Sequence, residues 1–269
     1  MTARAGQEAA SMPFIKNLAS SGPSPLPAPP LPSPLTLSPR ADRKLRTSSL
    51  EALTAFLAGR RSLSDGDARK LWTGLYYGLW MTDRPKPQQA LAADLAGLVL
   101  ALRAPCVGPW LRAFWHVLGA QWTSIEALRL DKFLLLVRRV WAAMVRYAAR
   151  AESAAVVLAV CREYVFDGDG GDAGLGVLPL GLKLHVLDIW VDELEREGVL
   201  AEEKNKAWVR EMGDLVEALR RNGTRVVRER AKESYEDERL PWAARPMEED
   251  EEGEEDEDED EEGWGGIDD

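Results

Sequence analysis

The chain has 269 residues, 45% of them hydrophobic, and a formal net charge of −11, which leaves enough apolar material for one folded domain of about 200 residues. Its two cysteines, Cys106 and Cys161, exclude a disulfide scaffold. The absence of a basic-then-apolar leader, and of any run of about 18 apolar residues, argues against secretion or membrane spanning and for the reducing cytosol or nucleus.

Residues Gly22 to Ala41 hold eight of the sixteen prolines, a density that forbids helix and favours extended, solvated chain. From Asp42 onward the punctuation changes to helices joined by short turns. Leu50, Leu53 and Leu57 set a first apolar stripe. Ala68, Leu71, Trp72, Leu75 and Leu79 set a second at helical offsets, and Leu91, Leu95, Leu98 and Leu102 a third. Leu111, Phe114, Trp115, Leu118 and Trp122 follow. Thr123 and Glu126 have the spacing of a capping box, which predicts a long helix opening near Ser124 and passing through Leu130, Phe133, Val137, Trp141 and Met144. Ala154 to Val165 is apolar nearly all round and reads as an enclosed helix. Phe166 to Gly176 is too glycine-rich for regular structure; Leu182, Val186, Ile189 and Trp190 then resume a stripe, and Trp208, Met212, Leu215, Val216 and Leu219 carry the last. Residues 247–269 hold sixteen Asp and Glu and no Lys or Arg, so without them the formal charge of residues 1–246 is +5. A basic body with an acidic tail suits a protein that meets polyanions, the tail competing for the basic surface; a tail that merely solubilises is the equal alternative. Either way it is not expected to fold.

Convincing period-two segments are absent. Eight or so consecutive amphipathic helices with short connections predict an all-α fold of antiparallel neighbours, an α-solenoid of stacked helix pairs (HEAT/armadillo-like) in preference to a bundle. The expected limits are a proline-rich disordered insertion at 22–41, a helical-repeat domain at 42–235 and a disordered acidic tail at 236–269.

The sequence offers little for catalysis. His116 and His185 lie on or beside apolar stripes and read as packed or interface histidines, and no Cys or His pair has zinc spacing. Asp167, Asp169 and Asp172 resemble a calcium loop, but Gly171 takes the fifth ligand position and no glutamate closes it. Asp188 and Asp192 stand one helical turn apart and read as a solvated face. No catalytic residue, cofactor or metal is expected. More informative is the long helix, where Lys132, Arg139, Arg146 and Arg150 fall on one face opposite the apolar stripe. That strip is a candidate for phosphates, as are Arg60 with Arg61, and Arg220 with Arg221 and Arg225; the alternative for each is an ordinary solvated face. Reversing charge at Lys132, Arg139 and Arg146 is expected to weaken binding without unfolding the domain.

Three blocks carry a family resemblance: KLWTGLYYGLWMTDRP (Lys70 to Pro85), LRAFWHVLGAQWTSIEALRLDKFLLLVRRV (Leu111 to Val140) and GLKLHVLDIWVDELE (Gly181 to Glu195). In that order they resemble the ribosomal RNA processing protein 1 family of eukaryotic nucleolar proteins. PFIKNLASS, Pro13 to Ser21, is similar to that family's opening helix, which places an N-terminal helix of the domain within residues 1–21. The resemblance implies stacked helices, a nuclear and nucleolar location, and a non-enzymatic role in processing large-subunit pre-rRNA. Its implied partners are the pre-60S ribosomal particle, pre-rRNA and other ribosome assembly factors, with no membrane and no small-molecule substrate. Two departures stand out. Gly22 to Ala41 interrupts the family pattern, as a tolerated insertion or an in-frame retained intron, and the chain stops after its acidic tail where relatives often continue into basic sequence. A reading from a different class is a general helical-repeat adaptor, or a histone-chaperone-like binder, acting through the acidic tail.

Overall fold

A computed structural model of the chain describes residues 39–150, 153–167 and 178–243, with side chains from Thr47 onward. The suggested opening helix, most of the proline-rich segment, most of the glycine-rich loop and residues 244–269 lie outside the described residues. Among those described there is no strand, and nine α-helices follow one another: α1 (Pro39–Gly59), α2 (Asp65–Trp80), α3 (Pro85–Gly97), α4 (Ala104–Gln121), α5 (Ala127–Ala148), α6 (Ala154–Val160), α7 (Leu180–Arg196), α8 (Lys206–Asn222) and α9 (Arg225–Tyr235). None is long and apolar enough to cross a membrane.

Local chemistry sets the boundaries. Ser64 caps α2, its hydroxyl oxygen accepting from the Asp67 N–H at 3.1 Å, and Asp65 and Asp67 place negative charge in the first turn. Pro85 and Pro105 sit in the first turns of α3 and α4, where a missing N–H costs no helical bond. The predicted capping box does not form. Trp122–Ser124 close a 3-10 turn, the Ile125 N–H donating to Trp122 O at 3.2 Å, so α5 opens three residues later than expected, with Glu126 at the N-cap and its carboxylate paired to Arg129 at 3.0 Å. The enclosed helix begins as α6 and ends in a π turn, Cys161–Val165, closed by the Phe166 N–H on Cys161 O at 2.8 Å.

Packing is mainly between alternate helices, with α8 and α9 also packed as a consecutive pair. α2 packs on α4, α4 on α6 and α6 on α8; α3 packs on α5, α5 on α7 and α7 on α9, while α1 lies against the 3-10 turn Leu98–Ala101 that ends α3. Even-numbered helices therefore make one layer and odd-numbered helices the other, the arrangement of an α-solenoid. Between the layers runs an aromatic column: Trp72 meets Trp110 and Phe114, each at 4.9 Å between ring centres, and the series continues through Trp115 and Trp141 to Phe166. Both cysteines are buried free thiols within this core.

Residues 236–243 are part of the packed body, where the sequence placed the start of the tail. Leu240 is fully buried, and the Trp242 indole N–H donates to Tyr235 O at 2.9 Å. The reversal of the chain after α9 is set by that fit, which no helical period announces.

Candidate nucleic-acid interface

The cations proposed for the outward strip of α5 have different fates. Lys132 is buried; its ammonium donates to Trp80 O at 2.7 Å and to Thr82 O at 3.1 Å, with the Asp83 carboxylate at 3.7 Å. It closes the C-terminal end of α2 and is withdrawn from any external anion, which corrects the strip as read from the helical wheel. Burial holds its pKa below the usual lysine value, with Asp83 opposing the shift. Arg139 is half-buried, its Nε enclosed with no partner among the described residues. Arg146 pairs with Glu197 at 3.4 Å.

The reason is the position of α5 between two neighbours. α7 presents Asp188, Asp192, Glu193, Glu195 and, at its end, Glu197, and arginines from both sides meet them. Arg138 of α5 binds the fully buried Glu193 and reaches Asp192 at 3.3 Å; Arg196 supplies Glu193 with a second cation at 3.2 Å. Arg230 of α9 pairs with Asp188, and Arg239 reaches Asp192 at 3.1 Å, Glu195 at 2.7 Å and Asp237 at 2.7 Å. Hydrogen bonds from Arg239 hold the Asp237 carboxyl below its usual range, and its carboxylate partners raise Arg239 in turn. Asp188 and Asp192 are thus members of an interhelical ion-pair ladder on the solvated face the sequence suggested, each side chain still 40% exposed.

The C-terminal candidates have carboxylate partners nearby, though Arg221 and Arg225 remain largely exposed. Arg220 pairs with Glu217 at 2.9 Å and Glu236 at 3.8 Å, Arg221 with Glu217 at 3.4 Å, and Arg225 with Glu229 at 2.9 Å.

The remaining candidates come together at one rim, where odd-numbered helices end and even-numbered ones begin. Arg60 and Arg61 follow α1; Arg150 follows α5. Arg103, which no sequence pattern singled out, joins them: its Nε donates to Ala58 O at 3.2 Å, while the Cys106 thiol approaches Arg60 O at 3.6 Å. Arg150 donates to Leu100 O at 3.2 Å. All four are exposed, and none has a carboxylate partner among the described residues. The signal that finds Arg103 is positional: like the other three it flanks a helix end.

The two histidines are held near-neutral by burial. His116 is lowered by desolvation and then by Arg69; His185 is lowered by desolvation, with its ring Nε2 3.2 Å from Leu134 O. At the glycine-rich loop, the Asp167 carbonyl accepts from the buried Lys183 ammonium at 2.7 Å; Asp169 and Asp172 lie outside the described residues. Among the described residues no group of His, Cys, Asp and Glu is arranged to hold a metal ion.

Comparison with known proteins gives one family and a set of curated relatives. The profile of the nucleolar protein Nop52 family matches residues 39–266. Ribosomal RNA processing protein 1 homolog A of Mus musculus is 29% identical over 187 residues, 64% of this chain and 36% of the mouse protein. Its Homo sapiens counterpart is 39% identical over 102 residues, 38% of this chain and 22% of the human protein. Ribosomal RNA processing protein 1 homolog of Drosophila melanogaster is 28% identical over 137 residues, 49% of this chain and 19% of the fly protein. The matched part of the chain spans about a third or less of each of these relatives.

Proposed function

The chain belongs to the nucleolar protein Nop52 family, and on that premise we propose that it is a non-catalytic ribosome assembly factor of the nucleolus, acting in large-subunit pre-rRNA processing and pre-60S maturation. The observation that carries this reading is the extent of the family match, residues 39–266, which takes in the whole described solenoid. Its physical logic is preorganisation: a surface already fixed by a two-layer core and an ion-pair ladder loses little entropy on docking, which suits a protein that holds several partners in register. Pre-rRNA and other assembly factors are the partners this reading assigns.

Depletion of the protein, with precursors of the two subunits resolved separately, tests the proposal. Accumulation of large-subunit precursors alone is the expected result. An unchanged precursor pattern removes the reading.

The sixteen carboxylates of residues 247–269 favour one rival, a binder of basic partners acting through its tail. Deleting those residues separates the two: ribosomal RNA maturation that survives the deletion excludes the tail-centred function, and maturation that fails while the solenoid stays folded supports it.

A further inference from the structure

Arg60, Arg61, Arg103 and Arg150 form an exposed arginine row that crosses three successive odd-layer helix ends, with no carboxylate partner among the described residues. We propose that this row is a track for the sugar-phosphate backbone of RNA, an inference that rests on the assembly-factor reading and assigns its RNA contact to this rim.

The contrast with the rest of the surface supports the assignment. Along α7 and α9, Arg196, Arg225 and Arg230 meet carboxylates and Arg228 reaches the Gly223 carbonyl by itself, whereas here Arg103 and Arg150, standing beside Arg60 and Arg61, each spend one N–H on a helix-end carbonyl and keep the remainder of the guanidinium fork for an external acceptor. The carboxylates that follow Arg60 and Arg61 in sequence, Asp65 and Asp67, stay in the first turn of α2, where Asp67 is tied to the Ser64 hydroxyl at 2.9 Å. Two of the arginines are also oriented by rings: Arg60 lies 4.4 Å from the centre of Phe56 and Arg150 lies 5.8 Å from that of Tyr147. The row is therefore preorganised as well as charged.

Its dimensions select the ligand. Packed neighbouring helices lie about 8–10 Å apart, so a row that crosses the ends of α1, α3 and α5 is longer than one such interval. That length exceeds a single small anion and matches a run of phosphates. Arg60 lies over the Phe56 ring, which stays partly exposed, and Tyr147 is buried, so the row offers four cations and little aromatic surface for stacking bases. Recognition is then of backbone, with strong salt dependence and little sequence preference.

The test is the salt dependence of binding between the full chain and a short, mixed-sequence single-stranded RNA, followed by fluorescence anisotropy. Each lost phosphate contact flattens the plot of log affinity against log salt by about 0.7, so R60A/R61A/R103A/R150A is expected to lose nearly 3 in slope and at least about tenfold in affinity at low salt. R60A/R61A, which breaks no helix-end bond, is expected to lose about half of that slope, and this variant keeps the test valid if the fourfold one misfolds. Replacing all four by lysine is expected to preserve the slope, and R221A/R225A to leave binding unchanged. An unchanged slope in R60A/R61A, no RNA binding by the full chain, or tighter binding of a polyglutamate peptide than of RNA overturns the proposal. If the full chain binds no RNA but depletion still accumulates large-subunit precursors, the rim assignment falls and the assembly-factor reading stands.

Discussion

The ammonium of Lys132 donates to the carbonyl oxygen of Trp80 at 2.7 Å, joining α5 to the last turn of α2 across 52 residues of sequence. A second bond, to Thr82 O, lands on a carbonyl that also accepts from the Gln88 side chain at 2.8 Å, so one cluster ties α2, α3 and α5 together.

Lys132→Met is therefore expected to destabilise the fold by about 1–3 kcal/mol, because it leaves buried carbonyl groups without a donor. Lys132→Glu is expected to cost more, since it sets a carboxylate against those carbonyls and Asp83. Urea unfolding measures both. A stability equal to that of the parent chain would return Lys132 to the list of surface cations.

Arg138→Ala tests the ladder. Glu193 is fully buried and keeps only Arg196 when Arg138 is removed. Breaking a fully buried pair costs about 3–5 kcal/mol, and the retained Arg196 and the partial exposure of Arg138 bring the expected loss down to about 2 kcal/mol. The double variant Arg138→Leu, Glu193→Leu is expected to recover most of it, which a thermodynamic cycle of the four proteins measures.

Gly213 is required by a neighbour rather than by its backbone angles. A Cβ there falls 2.3 Å from the Trp242 ring. Gly213→Ala is expected to displace Trp242 and lose about 1–3 kcal/mol. Trp242→Ala in the same chain is expected to relieve that clash, so the two losses are less than additive. Thermal unfolding of the three variants checks this.

Acid is expected to weaken the fold through its histidines. Burial holds His185 and His116 below the ordinary imidazole value of 6.5. Between the lowered folded values and 6.5 the unfolded chain binds more protons, so stability is complete above that window and falls as pH drops through it. In H116Q/H185Q the decline across that window should flatten. The loss that Asp237 and Arg239 contribute belongs to more acid solution, below the ordinary carboxyl value of 3.8. Midpoints of thermal unfolding across the acid range resolve the two limbs.

The helical fold was legible because burial is written in period. Leu53 and Leu57, the stripe from Ala68 to Leu79, and Val186 with Trp190 are core residues in the folded chain. Each of those positions is determined by its own helix, and the run of short connections implied stacked pairs. The fate of charged side chains follows a different logic. Lys132 and Arg146 occupy one face of one helix, yet the first is buried under α2 and the second pairs with Glu197.

A helical wheel fixes direction within an element but carries no information about what stands opposite, and an ion pair is decided by the opposite element. Hence the sequence by itself determined the helices, their apolar faces and the family resemblance. Only the tertiary structure decided which cations are spent inside the protein and which remain outside. It withdrew Lys132, set carboxylates beside Arg220, Arg221 and Arg225, and brought Arg103 to the end of α1 next to Arg60, because layers that alternate through the stack place every second helix end on one rim.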